Sequence, residues 1–469
     1  MTGRLMRSEL ATWVDPAAAF HALAAQCDWS VWLDAGPNAR EGLSYIGIPA
    51  GRVLRASVER GEVDEFQAPG GAAHTREAGI FEVLREVLEQ QSSIDTSAAR
   101  TDGFALGWVG WCGYELAAQT TGVATAASSA DDAVFVYLDW ALEFDHAART
   151  ISVLVLGEDD RALAERHALL TQVLVGVSEP AVTAAMSVGH DAVSWRHDAT
   201  SYRALVQRCL DAITAGDAYQ LCLTNEARIA GDFDALAVYS RLRAANPSHH
   251  GGLLRFGDTA LLSSSPEIFL RVDADGHMET KPIKGTRPRG GDQQLDAELS
   301  SELSGSAKER AENLMIVDLM RNDLGRVAQL GTVQVDALLE VESYTHVHQL
   351  VSTVSAELAP GLSAVDALES CFPAGSMTGA PKLSAMTILH ELERGPRGIY
   401  SGAFGYLGLD GSAHLAMVIR SIVVTKLGAS IGTGGGITSG STPQAELEET
   451  WLKAAALLGA LGVSSTRYS

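Results

Sequence analysis

The spacing of apolar and polar positions changes several times along the chain, and each change marks an element. Up to about residue 185, VFVYLDWALEF (134–144) and ISVLVLG (151–157) read as short strands, and EDDRALAERHALLTQVLVGV carries helical spacing. The small and polar passage SEPAVTAAMSVGHDAVS then predicts a linker. Beyond it, amphipathic helices alternate with strands. This division gives an N-terminal domain over 1–185 and a second, chemistry-bearing domain over 190–465.

Two helices of the second part are bounded by their end signals. SAKE, from Ser306 to Glu309, fits a capping box that opens a helix running through AENLMIVDLMRND to Gly325. STPQ, with Pro443 suited to a first turn, opens another that continues through AELEETWLKAAALLGAL to Gly462. Leu447, Trp451, Ala454 and Leu458 form its apolar stripe, while Glu446, Glu449 and Lys453 share a different face.

Composition narrows the class. The chain has 469 residues, 46% of them hydrophobic and 20% charged, as expected of an ordinary globular protein. A formal net charge of −23 argues against nucleic-acid binding, but leaves room for an anionic small substrate wherever cations gather locally. Five scattered cysteines without a C-x-x-C pair suit a reduced, cytoplasmic protein. The N-terminus has no apolar signal-peptide core, and no run is long enough to predict a membrane span.

Several motifs imitate others. IGTGGGITSG lacks the third glycine of a dinucleotide fingerprint, since Ile437 stands there. GSMTGAPK is not a phosphate loop, because Pro381 precedes Lys382 and no Ser or Thr follows. Cys112 in GWCGYE misses a nucleophile elbow and reads as a buried thiol. Nothing in the sequence looks like a glutaminase.

What remains is a series of polar motifs in apolar surroundings: SSSPEIFL, ETKPIKGTRPRG, AKERAENLMIVDLMRND, CFPAGSMTGAPK, IYSGAFGY, HLAMVIRS, IGTGGGITSGS and QAELEETWLKA. In this order and spacing they resemble the chorismate-utilising enzymes, which include anthranilate, aminodeoxychorismate, isochorismate and salicylate synthases. The resemblance is strong over about residues 195–462 and weaker before, through LDAG, SYIG and GWVGWCGYEL. It implies an α+β fold of two large packed antiparallel sheets with helices outside. It also implies that Glu312 and Glu449 hold Mg2+, with Glu446 as a further or water-mediated ligand, and that Glu267 protonates the leaving C4 hydroxyl. Tyr400, Arg420, Lys453 and the N–H groups of Gly434, Gly435 and Gly436 match positions that grip the enolpyruvyl carboxylate, with Ser376 and Thr286 lining the pocket. Physical chemistry agrees. Displacing a hydroxyl from a dianionic ring needs charge neutralisation, an acid and a placed nucleophile. Few carboxylates suit Mg2+ rather than zinc. Apolar neighbours should raise the Glu267 pKa.

Two positions bear on the branch. Water-adding members carry a Lys where this chain has Gln220, and a neutral amide cannot activate water, so ammonia is the expected nucleophile. Lys284 in PIKGT replaces the Ala usual in anthranilate synthases and resembles the aminodeoxychorismate branch's covalent nucleophile, its pKa expected to be lowered near Lys281, Arg287 and Arg289. VHQL leaves Gln349 where anthranilate synthases have a lyase histidine, although His348 is adjacent. Anthranilate synthase component I, an isochorismate or salicylate synthase and a non-catalytic chorismate-binding scaffold remain alternatives. The implied partner is a glutamine amidotransferase subunit supplying ammonia, and the implied product leads to p-aminobenzoate and folate. LDAG and SYIG resemble a tryptophan-pocket segment, and packing of strands is the competing reading of them.

Overall fold

The computed structural model describes residues 3–463 apart from 50, 69, 129, 179–187, 190, 191, 345 and 346, so most of the expected linker lies outside the described residues. Two twelve-stranded antiparallel sheets form the frame. The first runs in the order Arg4–Leu10, Thr150–Gly157, Trp140–Asp145, Leu43–Gly47, Trp29–Asp34, His250–Phe256, Thr259–Ser265, Ser421–Thr425, Gly428–Ile437, Gln220–Ile229 and Val193–Trp195, with the short Gly379–Ala380 beside Gln220–Ile229. The second runs Ile283–Pro288, Val347–Glu357, His277–Thr280, Ile268–Val272, Ala413–Met417, Ala403–Gly408, Gly107–Cys112, Ala133–Leu138, Arg52–Ser57, Glu62–Gln67 and His74–Glu77, with Gln334–Ser343 also on Val347–Glu357.

Side chains alternate across each strand, and the alternation sorts them into layers. Val31, Leu254 and Leu261 of the first sheet meet Val109, Val136 and Phe404 of the second in a core between the sheets. Their chain neighbours Trp32, Leu253 and Leu262 point the other way, under the helices Pro16–Ala24, Asp160–Leu174, Ala235–Ala245 and Pro443–Ala460. Leu54, Trp108 and Phe135 likewise pack beneath Ile80–Glu89, Ala307–Gly325 and Ala364–Cys371. Burial on both faces is why these strands read as continuous apolar runs. The α+β architecture expected from the resemblance is the one observed.

The boundary drawn between 1–185 and 190–465 runs through both sheets. Trp29–Asp34 pairs with His250–Phe256 in one, and Gly107–Cys112 pairs with Ala403–Gly408 in the other. Each half on its own would leave open strand edges, and the other half fills them. Among the described residues, no helix is long and apolar enough to cross a membrane.

Both helix starts are where the sequence placed them. Ser306 caps Ala307–Gly325 by accepting from the Glu309 N–H at 3.4 Å. The capping box is only half made, because the Ser306 N–H already donates to Leu303 and the Glu309 carboxylate lies 3.9 Å from Arg287. Thr442 caps Pro443–Ala460.

Gly110 pairs with Gly405 across the seam between the halves, and on its other side a Cβ would fall 2.0 Å from the Val134 carbonyl oxygen of the neighbouring strand Ala133–Leu138. Gly110→Ala is expected to cost about 2 kcal/mol or more. Gly459→Ala, in a helix with open space around it, should be neutral or slightly stabilising. Thermal melting of both variants checks this, and equal melting temperatures would refute the close approach of the strands at Gly110.

Candidate active site

Between Ser265 and Ile268 the chain leaves the first sheet for the second, and between Met417 and Ser421 it crosses back. The crossings run side by side: Ser263 pairs with Ser421 in one sheet, Ile268 with Ala416 in the other. At the corner, the Met417 N–H donates to the Glu267 carbonyl at 3.0 Å. Glu267 therefore stands in one corner and Arg420 in the other. Arg420 adopts a left-handed backbone, φ 51°, a conformation that costs an L-residue on the order of 1 kcal/mol. Its guanidinium forms no hydrogen bond or ion pair among the described residues, and burial pulls its pKa down against the influence of Tyr400 and Glu449.

The Glu267 carboxyl is buried, and Lys284, Ser376 and the Ile283 N–H beside it favour its charged form. Burial outweighs all three and raises its pKa to about 7. Lys284 rises from an irregular stretch of Ile283–Pro288 in which Gly285 takes φ 83°. Its surroundings differ from the expectation. Arg287 pairs with Glu302 at 2.8 Å, Arg289 with Asp296 at 2.7 Å, and Lys281 lies 3.8 Å from Glu279. The cations meant to crowd Lys284 are thus neutralised elsewhere, because strand geometry turns them toward other partners. Lys284 instead lies near Glu267, Glu312 and Glu449, and its charge opposes the upward effect of burial on each.

Glu312 is carried by the helix Ala307–Gly325, which Asn313 fixes to the neighbouring strands. Its amide donates to the carbonyls of Pro282 and Leu350 at 3.4 Å, and its oxygen accepts from Ser352 at 2.5 Å. Glu446 and Glu449 come from Pro443–Ala460. Ser441 donates to Glu446 Oε1 at 2.6 Å, and Lys453 sits 2.7 Å from Glu449. Burial raises the Glu312 and Glu446 pKa values. Burial acts the same way on Glu449, but Lys453, with Lys308 and Lys284 behind it, holds that pKa below the ordinary value. Lys308 Nζ lies 3.9 Å from both Glu312 and Glu446.

The glycine run forms no turn. Gly434, Gly435 and Gly436 lie within the strand Gly428–Ile437, which pairs with Gln220–Ile229 throughout, whereas its pairing with Ser421–Thr425 ends at Ser430. A second edge is thus left unpaired from there on. Each missing Cβ makes room. One on Gly432 would fall 2.0 Å from the Tyr400 ring, one on Gly435 2.9 Å from Glu446, and one on Gly436 2.4 Å from the Gln220 amide nitrogen. Lys453 also donates to the Gly434 carbonyl at 2.8 Å. Gln220 is fully buried, and neither its amide oxygen nor its nitrogen has a hydrogen-bond partner. A buried amide without partners is costly, and a polar ligand relieves the cost.

The profile of chorismate-binding enzymes matches residues 39–459. The chain belongs to the chorismate-binding enzyme family. It is 44% identical over 472 aligned residues to the aminodeoxychorismate synthase of Streptomyces griseus and 41% identical over 475 to that of Streptomyces pristinaespiralis, alignments that cover 97% and 98% of this chain. They span 64% and 65% of those relatives' own length. The crystal structure of anthranilate synthase component I from Streptococcus pneumoniae superposes with a TM-score of 0.76 at 26% identity, covering 96% of this chain and 99% of that one.

Within this chorismate-binding enzyme, Glu267, Lys284, Ser376, Glu312, Glu446, Glu449, Lys453, Gln220, Tyr400 and Arg420 gather around the corner and the glycine strand. The Thr286 side chain is exposed and its register partner is the buried Gln349. His348 and Gln349 point to opposite faces of their strand. His348 is buried between Ser343 at 2.8 Å and Asp296 at 2.9 Å.

The carboxylate oxygens of Glu312, Glu446 and Glu449 are donors of the kind Mg2+ takes, and buried Glu312 Oε1 has no hydrogen-bond partner. As they stand, no three acidic, His or Cys groups among the described residues are arranged to hold an ion.

The sequence did not single out Lys308, Asn313, Ser441, Cys222 or the clamp that seats Tyr400. In that clamp Arg397 pairs with Glu393 at 2.8 Å and donates to the carbonyls of Met377 and Cys222, while Glu115 accepts from the Arg397 and Gly398 N–H groups. Only the i, i+4 spacing of Lys308 and Glu312 was legible. The imitating motifs are structural: Lys382 pairs with Asp323 at 2.5 Å, and burial pushes the Cys112 thiol pKa up. Asp34 of LDAG is taken up by Arg243 at 2.6 Å and Tyr239 at 2.9 Å, and Ser44 of SYIG by the Ala35 N–H and His146. A cavity of about 420 Å³ shares Tyr400 and Gly432 with the site, but is not lined by Glu267, Lys284 or the three acids.

The Glu267 carboxyl should make stability depend on pH. Its ordinary pKa is 4.5 and its folded value about 7, so the folded state holds the proton more tightly. The stabilisation is complete below the lower value and lost as pH rises through the upper one. Glu267→Gln, neutral throughout, should gain roughly 3 kcal/mol on the wild type between pH 4.5 and pH 8. Urea unfolding at the two pH values measures it; a constant difference would place the raised pKa elsewhere.

Proposed function

We propose that the chain is the chorismate-aminating component of an aminodeoxychorismate synthase, converting chorismate and ammonia to 4-amino-4-deoxychorismate. The observation that carries this reading is Lys284 beside buried Glu267, with a neutral Gln220 in the same site, in a chain whose aminodeoxychorismate synthase relatives align over nearly its whole length.

Arg420, unpaired and partly buried, receives the enolpyruvyl carboxylate together with Tyr400, Lys453 and the open edge of the glycine strand. Glu312, Glu446 and Glu449 would hold Mg2+, which when bound supplies Lewis-acid withdrawal of electrons from the ring through its carboxylate. Near neutral pH Glu267 is protonated in a large fraction of molecules and gives that proton to the departing C4 hydroxyl, which leaves as water. Lys284 first gives up a proton to solvent, and its amine then bonds to C2 as the C4–O bond breaks and the ring double bond shifts. Ammonia then attacks C4, the double bond returns, and the lysine amine is expelled. Gln220 takes no proton, so it cannot activate water, while ammonia brings its own lone pair. In this reading a glutamine amidotransferase subunit delivers the ammonia in the cytoplasm, and a separate lyase carries the product to p-aminobenzoate and folate.

Anthranilate synthase, the nearest alternative, needs a base to eliminate pyruvate. The adjacent histidine is held by Ser343 and Asp296, which favours a product that keeps its enolpyruvyl group.

Incubation with chorismate, Mg2+ and ammonium should give a product with the mass of aminodeoxychorismate, and EDTA should abolish its formation. Lys284→Ala should lower turnover at least about 100-fold. Fluorescent anthranilate, or turnover without ammonium, would overturn the assignment; full activity of Lys284→Ala would remove the covalent step.

A further inference from the structure

We infer that Lys308 is a displaceable counter-cation: its ammonium lies between Glu312 and Glu446, where a divalent ion binds, and the ion must expel it. The inference rests on the reading above, that these carboxylates hold Mg2+.

Position is the first argument. Lys308 stands one turn before Glu312 on the helix Ala307–Gly325, yet its Nζ lies 3.9 Å from Glu312 Oε1 and 3.9 Å from Glu446 Oε1 on the helix Pro443–Ala460. One side chain thus spans acids from two helices.

The contacts themselves are the second. At 3.9 Å neither is a hydrogen bond, and Glu312 Oε1 receives none from anywhere in the described structure. The attraction is charge alone, without directional bonds to break. Lys453 is the contrast. It sits 2.7 Å from Glu449 and donates to the Gly434 carbonyl at 2.8 Å, which makes it a fixed part of the wall.

Exposure is the third. The Lys308 side chain is 50% exposed, against 11% for Glu312 and 3% for Glu446. The ammonium can swing into water on its flexible stem while both acids stay in place.

Charge completes the case. Glu312, Glu446 and Glu449 are balanced one for one by Lys284, Lys308 and Lys453. A divalent ion entering beside all three lysines would leave two positive charges in excess. Withdrawal of Lys308 removes one, and a dianionic substrate then meets the one that remains together with the charge of the unpaired Arg420. Metal affinity is therefore held down by a tethered competitor until substrate arrives, and the vacant enzyme keeps its buried acids neutralised.

The test is Mg2+ titration by calorimetry, with thermal melting in EDTA and in Mg2+, on the intact chain without chorismate. Lys308→Met should bind Mg2+ about tenfold more tightly than the wild type, melt lower in EDTA and gain more from Mg2+. Lys308→Gln serves as a second neutral variant should the methionine chain fail to fold. Lys308→Arg, which keeps the charge, should bind Mg2+ no more tightly than the wild type. Wild-type or weaker binding in the neutral variants, or tightening in Lys308→Arg, overturns the inference. Glu312→Gln separates the two readings. If it retains full Mg2+ binding, the metal assignment itself fails. If it loses binding while the neutral Lys308 variants do not tighten, only the counter-cation fails.

Discussion

The site depends on a bend. The paired segments 259–272 and 413–425 start in one sheet and end in the other, so a single antiparallel ribbon belongs to both. A ribbon that turns between two packed sheets must expose its corner residues to the space where the sheets part. Glu267 and Arg420 are those residues, one an acid and the other a strained cation, brought together by the same turn. Neither sheet alone would make this corner, since the strands on either side of it are held by different neighbours.

Around the corner, buried charge is managed in two ways. Glu393 and Arg397 form a fully paired structural unit whose remaining donors reach the Met377 and Cys222 carbonyls. Removing either partner would strand a charge in the interior, which is far costlier than losing a surface pair. This unit fixes residues 396–400 and thereby the Tyr400 ring against Gly432. The acids Glu312, Glu446 and Glu449 are treated differently. Their lysine partners are fewer in hydrogen bonds and in part solvent-facing, which is what the proposed exchange for a divalent ion and an anionic substrate requires. The structural pair is closed and the functional set open, although both consist of carboxylates buried beside cations.

The architecture says little about which nucleophile is used, because a fold hosts many reactions and the site decides among them. In the proposed reading the discrimination rests on two side chains of different proton chemistry, Gln220 and Lys284. Gln220 is held without partners against Gly436, and Lys284 is placed among acids rather than bases.

Signals local in sequence were legible. The caps at Ser306 and Thr442, the strand 151–157, the β character of 134–144, though not its division at Asp139 between the two sheets, the free cysteines and the order of the polar motifs all follow from residues a few positions apart. The raised Glu267 pKa also followed, from its apolar flanks. Pairings between distant strands were not legible. The sequence could not indicate that the supposed domains share both sheets, that the glycine run is a strand with one open edge, or that Arg287 and Arg289 turn away from Lys284. The physical reason is range. Capping and periodicity act within a turn or two of the chain, whereas the neighbour of a side chain in a two-sheet core is chosen by register and by the bend, which join residues hundreds of positions apart.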